Sequence, residues 1–298
     1  MKGMLRILIA YDGSGCADAV LDDLRRAGLP TALEAVVVTV ADVMLPPADA
    51  KADVDALPAR VLEVVWRAQA RAEKAVKAAR AVAERAAQRV KTNFPGWVVR
   101  GVACGDSPAW AVCKIADRYQ TDLIIVGAHR HSMVGGRLIL GSVSQRVLYA
   151  AQCSVRVARY ANARRCGPVR IVVGFHSSPD AEVAVDAVAS RAWPAGSEVR
   201  FVTARGAGMP APAAVPVDTL RAAGLSTSNV IREGKPGPVL LDEVDKWGAD
   251  ALFVGTRDLH GMPHLLHGSV ASAVAAHAAC SVEVVRSKQG LRGCGWHA

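Results

Sequence analysis

No apolar run in this sequence approaches the roughly 18 residues that a membrane-spanning helix needs, so no span is expected. Strand-like residues begin at Met4, so no cleavable leader is expected. The seven cysteines, at 16, 104, 113, 153, 166, 280 and 294, are odd in number and include no Cys-x-x-Cys pair. That pattern excludes a disulfide framework and points to a reducing cytoplasm. A Gly-x-x-x-x-Gly-Lys-Ser/Thr phosphate loop and a Gly-x-Ser-x-Gly nucleophile elbow are both missing. Aromatic residues make up only 5% of the chain, and no aromatic platform or zinc finger accompanies its positive charge.

What is present is the composition of a globular protein, 51% apolar and 21% charged, with 298 residues giving the length of about two domains. The formal net charge is +9, and residues 60–91 carry nine Lys/Arg against three Glu, two thirds of that excess. In this stretch Val61, Val65, Ala68, Ala72, Val76, Ala79, Ala83, Ala86 and Val90 recur every three or four residues. The spacing predicts an amphipathic helix whose basic residues face solvent. Glu63/Arg67 and Glu73/Lys77 stand at the i,i+4 spacing of surface pairs, and nucleic-acid binding is not expected.

Three landmarks return at a nearly constant offset. Asp122-Leu-Ile-Ile-Val-Gly127 reappears as Asp250-Ala-Leu-Phe-Val-Gly255, Gly141-Ser-Val as Gly268-Ser-Val, and Cys153-Ser-Val-Arg-Val as Cys280-Ser-Val-Glu-Val. Ile7-Leu-Ile-Ala likewise aligns with Ile171-Val-Val-Gly, at a larger offset, so the second copy is shortened where the first has its basic helix. The stretch Ala204–Asn229 reads there as loop, with one short helical turn near Val217–Ala223.

Both copies alternate apolar β-rich runs with helical stretches, which predicts an α/β protein of two tandem, doubly wound, five-stranded parallel sheets. Strands are expected near 5–10, 34–40, 97–103, 122–127 and 154–158, and again near 169–174, 198–203, 229–232, 250–255 and 281–285. Helices are expected near 15–27, 58–92, 108–119 and 142–150, with Ser107 capping the third and Pro108 opening it. Pro236 takes the equivalent place in copy two. Domain one is assigned to 1–160, domain two to 161–288 and a tail to 289–298.

Open parallel sheets bind ligands beyond the carboxyl ends of their strands, where strand order reverses. Strand one ends in Ala10-Tyr-Asp12-Gly-Ser14, placing a carboxylate at that rim. The loop after Gly127 leads to Gly141-Ser142, whose helix start offers free N–H groups, a hydroxyl and a positive dipole end suited to phosphate.

Ile7-Leu-Ile-Ala-Tyr-Asp-Gly-Ser together with Gly127 and Gly141-Ser-Val-Ser resembles the universal stress protein family, across both halves. The resemblance implies 3-2-1-4-5 sheets of the adenine nucleotide alpha hydrolase-like kind, in tandem or dimeric arrangement. It also implies ATP, accompanied by magnesium, bound through a Gly-x-x-Gly, nine residues, Gly-Ser/Thr pattern, with the strand-one Asp and strand-two backbone holding the nucleoside. Carried over, this implicates Asp12, Val40, Gly127, Gly141 and Ser142 in copy one.

Arg130 stands at the second glycine of that pattern, and ten residues rather than nine separate it from Gly141. It either binds the phosphates or obstructs them, with His129, His131 and Arg137 nearby. Copy two keeps Gly255, Gly268 and Ser269 at regular spacing but has Asp258 at the second glycine and His176 in place of Asp12, so weak binding or none is expected there.

Gly206-Ala-Gly208-Met-Pro-Ala211 matches a dinucleotide fingerprint, but prolines 210, 212 and 216 prevent the helix that must follow. His260, His264 and His267 lack a completing carboxylate or thiol, and Gly261 and Pro263 oppose a helix, so no metal site is expected. Cys153 and Cys280 read as small buried thiols. The Ser-Gly-Gly-x-Asp-Ser and His-x-Gly-His signatures of adenylating enzymes are missing, and nothing identifies a base for ATP hydrolysis.

The expectation is a cytoplasmic, non-enzymatic stress-response protein whose first copy binds ATP as a signal. The alternatives are a pseudo-dimeric interaction module with degenerate nucleotide sites, and a slow ATPase. An intramolecular pseudo-dimer is expected, with a homodimer as a further arrangement.

Overall fold

The ten main strands of this protein lie in one sheet. The computed structural model describes residues 4–43, 58–128, 133–134, 137–138, 140–159, 167–176, 178–206, 215–256 and 269–287. The first half runs β1 (Arg6–Ala10), α1 (Gly15–Asp23), β2 (Glu34–Ala41), α2 (Ala59–Asn93), β3 (Val98–Gly105), α3 (Pro108–Arg118), β4 (Leu123–Gly127), α4 (Ser142–Ala150) and β5 (Ser154–Ala158). The second runs β6 (Arg170–Gly174), α5 (Pro179–Ala189), β7 (Glu198–Arg205), α6 (Val217–Ala222), β8 (Ser226–Glu233), α7 (Pro236–Trp247), β9 (Ala251–Gly255), α8 (Ser269–His277) and β10 (Ser281–Val285). A two-residue ladder pairs Met133–Val134 with Arg137–Leu138.

Each half has the 3-2-1-4-5 order, and the halves are continuous: β8-β7-β6-β9-β10-β5-β4-β1-β2-β3. Within a half every neighbouring pair is parallel, because each connection carries a helix back across the sheet. Among the described strands of the ten-stranded sheet, only β5 and β10 meet antiparallel, with Arg156 opposite Glu283. That junction covers two strand edges that would otherwise expose unpaired backbone groups.

The two faces of the sheet are built differently. On one, a single apolar core runs across the junction, including Val155, Val157, Val282 and Val284. On the other, one core packs Ile7, Ile9, Val20 and Val90, and a separate core packs Ile171, Phe201 and Phe253. Alternation along β5 and β10 explains the difference: the valines share one face, and the charged Arg156 and Glu283 occupy the other.

The basic helix α2 forms over the predicted stretch, but its apolar stripe is buried only in part. Ala72, Ala79, Ala83, Ala86 and Val90 are buried and Val65 and Val76 half-buried, whereas Val61 and Ala68 are exposed. Thirty-five residues span about 52 Å of helix, while an eight-residue strand spans about 27 Å, so the first turns run past the sheet. Glu63 pairs with Arg67 at 2.6 Å, whereas Glu73 accepts from Gln69. Ser107 is the N-cap of α3, but its side chain makes no capping bond; its own N–H is bonded to Asp106 Oδ1 at 2.7 Å. Strand β8 begins at Ser226, earlier than the predicted 229, because parallel pairing with β7 extends to Ser226 opposite Glu198. The polar run Ser226-Thr-Ser-Asn carries no apolar signal of its own, so the partner strand makes the strand.

Candidate functional site

The reversal in strand order within the first half falls between β1 and β4, since β1 lies beside both β2 and β4. The ends of β1, β2 and β4 and the start of α4 stand along that rim. The chain leaves β1 at Tyr11, whose N–H is held by the Val38 carbonyl at 2.9 Å, and enters the exposed residues Asp12 and Gly13. Asp12 Oδ1 accepts the Ser14 N–H at 2.9 Å, and Ser14 Oγ accepts from the Ala17 N–H, capping α1. Gly13 has φ +81, the left-handed region where a side chain is strained, and a Cβ there would come within 3.3 Å of Val82 on α2. A tight turn thus fixes the Asp12 backbone while Oδ2 has no partner among the described residues.

Tyr11 is locked beside this turn. Its hydroxyl donates to Asp18 Oδ1 at 2.8 Å, and Arg89 of α2 bridges Asp18 and Asp22 at 2.6 and 2.9 Å. Burial and then the Asp18 carboxylate push the phenol up to about 12, so it stays protonated at neutral pH. Val40, half-buried at the end of β2, sits opposite Cys104 of β3 and packs against the apolar core. On the other side of the crevice, the Gly127 carbonyl accepts the Ser144 hydroxyl at 2.6 Å, tying the first turn of α4 to the end of β4. Gly141 is the N-cap of that helix, with extended backbone and no side chain to satisfy the first-turn N–H groups.

Asp12, Val40, Gly127, Gly141 and Ser142 therefore lie at the carboxyl ends of β1, β2 and β4 and at the start of α4. Arg130, His129, His131, Asp258, Gly268, His260, His264 and His267, the 289–298 tail and most of the 206–211 glycine stretch lie outside the described residues. Ser269 opens α8. Among the described residues no three His, Cys, Asp or Glu side chains gather as a metal set, and no helix is long and apolar enough to cross a membrane.

The second half repeats the frame with different chemistry. The Phe175 N–H bonds the Val202 carbonyl at 3.0 Å as Tyr11 bonds Val38, but the phenyl ring is buried against Phe201. His176 follows, exposed, where the first half has Asp12. Ser178 caps α5 through the Ala181 N–H. The sequence reading missed the Tyr11–Asp18–Arg89 bridge and the Ser144 tie. Only the seven-residue separation of Tyr11 and Asp18 hinted at the first, and the second joins elements 17 residues apart.

Burial pushes the thiols of Cys153 and Cys280 up to about 12 and that of Cys113 up to about 11. A free cysteine titrates near 8.5, so each has about a hundredth or less of the usual thiolate population at pH 8. We expect iodoacetamide at pH 8 to leave these three unmodified in the folded protein over a period in which the denatured chain is fully alkylated. Cys280 is buried and Cys153 half-buried; peptide mass mapping reads the result, and rapid labelling of either would show that their surroundings do not hold the thiols protonated.

The universal stress protein family model matches residues 4–159 and 211–286 of this chain. Its overall architecture is similar to that of a universal stress protein from Archaeoglobus fulgidus, with TM-score 0.63 and 18% identity over 94% of this chain and 98% of that one. A structure described as a putative universal stress protein from Pseudomonas aeruginosa aligns with TM-score 0.58 and 16% identity, over 95% and 94% of the two chains. Universal stress protein Sll1388 of Synechocystis is 38% identical over 56 residues, which is 19% of this chain and 36% of the relative's length.

Proposed function

This chain belongs to the universal stress protein family, and we propose that it binds an adenine nucleotide at the rim of its first half, with occupancy serving as a stress signal rather than as fuel. The observation that carries this reading is the placement of Asp12 and Gly141-Ser142 on opposite sides of the β1/β4 crevice. A carboxylate with an oxygen to spare suits the ribose hydroxyls. A helix start with no side chain at its cap suits the phosphates. Val40 would present its backbone to the base, Gly127 would set the end of β4, and Arg130 would add a cation to the phosphates, with magnesium as counter-ion. None of these residues is assigned a base for hydrolysis, so binding without turnover is the proposal, in a reducing cytoplasm that keeps the cysteines free.

The second half favours a different part. His176 replaces the carboxylate and buried Phe175 replaces the tyrosine, so Gly255, Gly268 and Ser269 are proposed as remnants of a nucleotide site. If both rims had lost binding, the tandem would act as an interaction module.

Calorimetric titration with ATP tests the proposal. Loss of a hydrogen bond to a charged group costs about 1.5–3 kcal/mol, so Asp12→Ala should weaken binding at least tenfold. Gly141→Val, which crowds the phosphate end, should do the same. Binding indifferent to both would put the site elsewhere, and no heat from the wild-type chain would favour the interaction module. ADP accumulating over hours, and lost with Asp12→Ala, would make the protein a slow ATPase.

A further inference from the structure

The junction between β5 and β10 contains two kinds of contact, and the repeat separates them. The first kind is reciprocal. The Arg159 N–H donates to Ser281 Oγ at 3.0 Å, and its guanidinium reaches the Ala275 and Cys280 carbonyls at the end of α8. The Arg286 N–H donates to Ser154 Oγ at 3.1 Å, and its guanidinium reaches the Leu148, Ala151 and Cys153 carbonyls at the end of α4. Arg159 and Arg286 are equivalent in the repeat, as are Ser154 and Ser281, so each half gives the other the same contacts. A pair of identical halves could make this set equally well.

The second kind is not reciprocal. Arg156 and Glu283 are also equivalent positions, and they face each other across the junction. Arg156 holds Asp23 of α1 through two bonds, at 2.6 and 3.0 Å, and approaches Glu283 at 3.5 Å. Glu283 in turn pairs with Arg191, which follows α5. Asp23, Arg156 and Glu283 are 4%, 0% and 1% exposed, so the charges interact with little solvent screening. Burial works against the Arg156 charge, and the carboxylates of Asp23 and then Glu283 outweigh it, holding the guanidinium above its ordinary value. Neither supporting charge is duplicated: the position equivalent to Asp23 is Ala187, and that equivalent to Arg191 is Ala27.

We infer that the Arg156/Glu283 inversion is a partner-selecting lock, which lets each sheet edge accept the other half and rejects a second copy of itself. Pairing two first halves would set Arg156 against Arg156, and pairing two second halves would set Glu283 against Glu283. Like charges directly opposed on antiparallel strands are unfavourable, more so when buried. The reciprocal Arg159 and Arg286 contacts supply affinity whatever the partner. The inverted pair supplies the choice, as charges do in other specific pairings. This inference is independent of nucleotide binding.

Full-length chains test it. One variant, Asp23→Asn/Arg156→Glu/Arg191→Gln, is acidic at both junction positions; a second, Asp23→Asn/Glu283→Arg/Arg191→Gln, is basic at both. After co-refolding from denaturant, the tagged acidic variant should recover the untagged basic variant at least tenfold more than it recovers its own untagged form. Poor folding of either variant alone is part of the expectation, because the mixture is the readout. Recovery of self equal to recovery of the complement would overturn the inference, as would a mixture in which neither recovers the other. A neutral variant, Asp23→Asn/Arg156→Met/Glu283→Leu/Arg191→Gln, should associate increasingly with refolding concentration where the wild type does not, as measured by sedimentation velocity. A mass distribution identical to that of the wild type would also overturn the inference.

Discussion

Arg156→Met is expected to destabilise the protein by about 3–5 kcal/mol, the cost of breaking a buried ion pair by removing one partner. The size follows from what is left behind. Asp23 would lose both bonds from the guanidinium and keep only the Ser281 hydroxyl, at 2.7 Å. Glu283 would keep Arg191 alone. Two carboxylates would remain out of water in a region between the two apolar cores of that face. For a chain of this size the loss corresponds to a fall of roughly 10 °C in the thermal midpoint, read by calorimetry or circular dichroism. Removing the Glu34 carboxylate is the control. Glu34 lies 3.7 Å from Arg6 with both side chains well exposed, and Glu34→Gln should cost less than about 1 kcal/mol. Equal effects of the two substitutions would show that the buried chain of charges carries no special weight.

The second large effect is expected at Gly255. A Cβ built there would lie 1.9 Å from the Asp180 carbonyl oxygen, backbone that cannot rotate away. Gly255→Ala must therefore push α5 off the end of β9, and about 3 kcal/mol is expected, the upper part of the usual range for overpacking. At the equivalent Gly127 the nearest atoms, the Cys16 carbonyl oxygen and a Val20 methyl, would be 3.2 Å away. That gap closes with a small shift, and Gly127→Ala should cost about 1 kcal/mol. Urea denaturation of the two variants measures the difference; a ranking in the other order would mean that α1, not α5, is the tighter fit. The contrast bears on the site. A glycine at the end of the fourth strand of each half is accounted for by helix packing in both copies, whether or not a phosphate lies near, so its recurrence is weak evidence of nucleotide binding. Asp12 and Gly141 are stronger evidence, because neither is needed to admit a neighbouring helix among the contacts described.

The strands and helices of both halves were readable from local pattern because apolar runs of five residues and a 3.6-residue stripe are properties of short stretches. Where reading failed, a distant partner had overruled the local signal. Ser226-Thr-Ser-Asn became strand because β7 lies beside it, and Val61 lost its burial because α2 outruns the sheet. The rim residues Asp12, Val40, Gly127, Gly141 and Ser142 could be named in advance for a similar reason. Each stands at the end or start of an element that the alternation of strand and helix reveals, whereas the 3-2-1-4-5 order and the choice of Val40 followed from the resemblance to the universal stress protein family.

The junction is the opposite case. The inversion from Cys153-Ser-Val-Arg-Val to Cys280-Ser-Val-Glu-Val is plain in the sequence, where it looks like an ordinary surface difference between copies. Asp23 stands 133 residues from Arg156, and nothing in either stretch marks them as partners. A repeat establishes that two segments have the same form, since form follows from local residue pattern. That equivalent residues face each other across the antiparallel meeting of β5 and β10 depends on how the finished halves pack. Burial at that junction turns an arginine and a glutamate from solvated surface charges into a coupled chain of four.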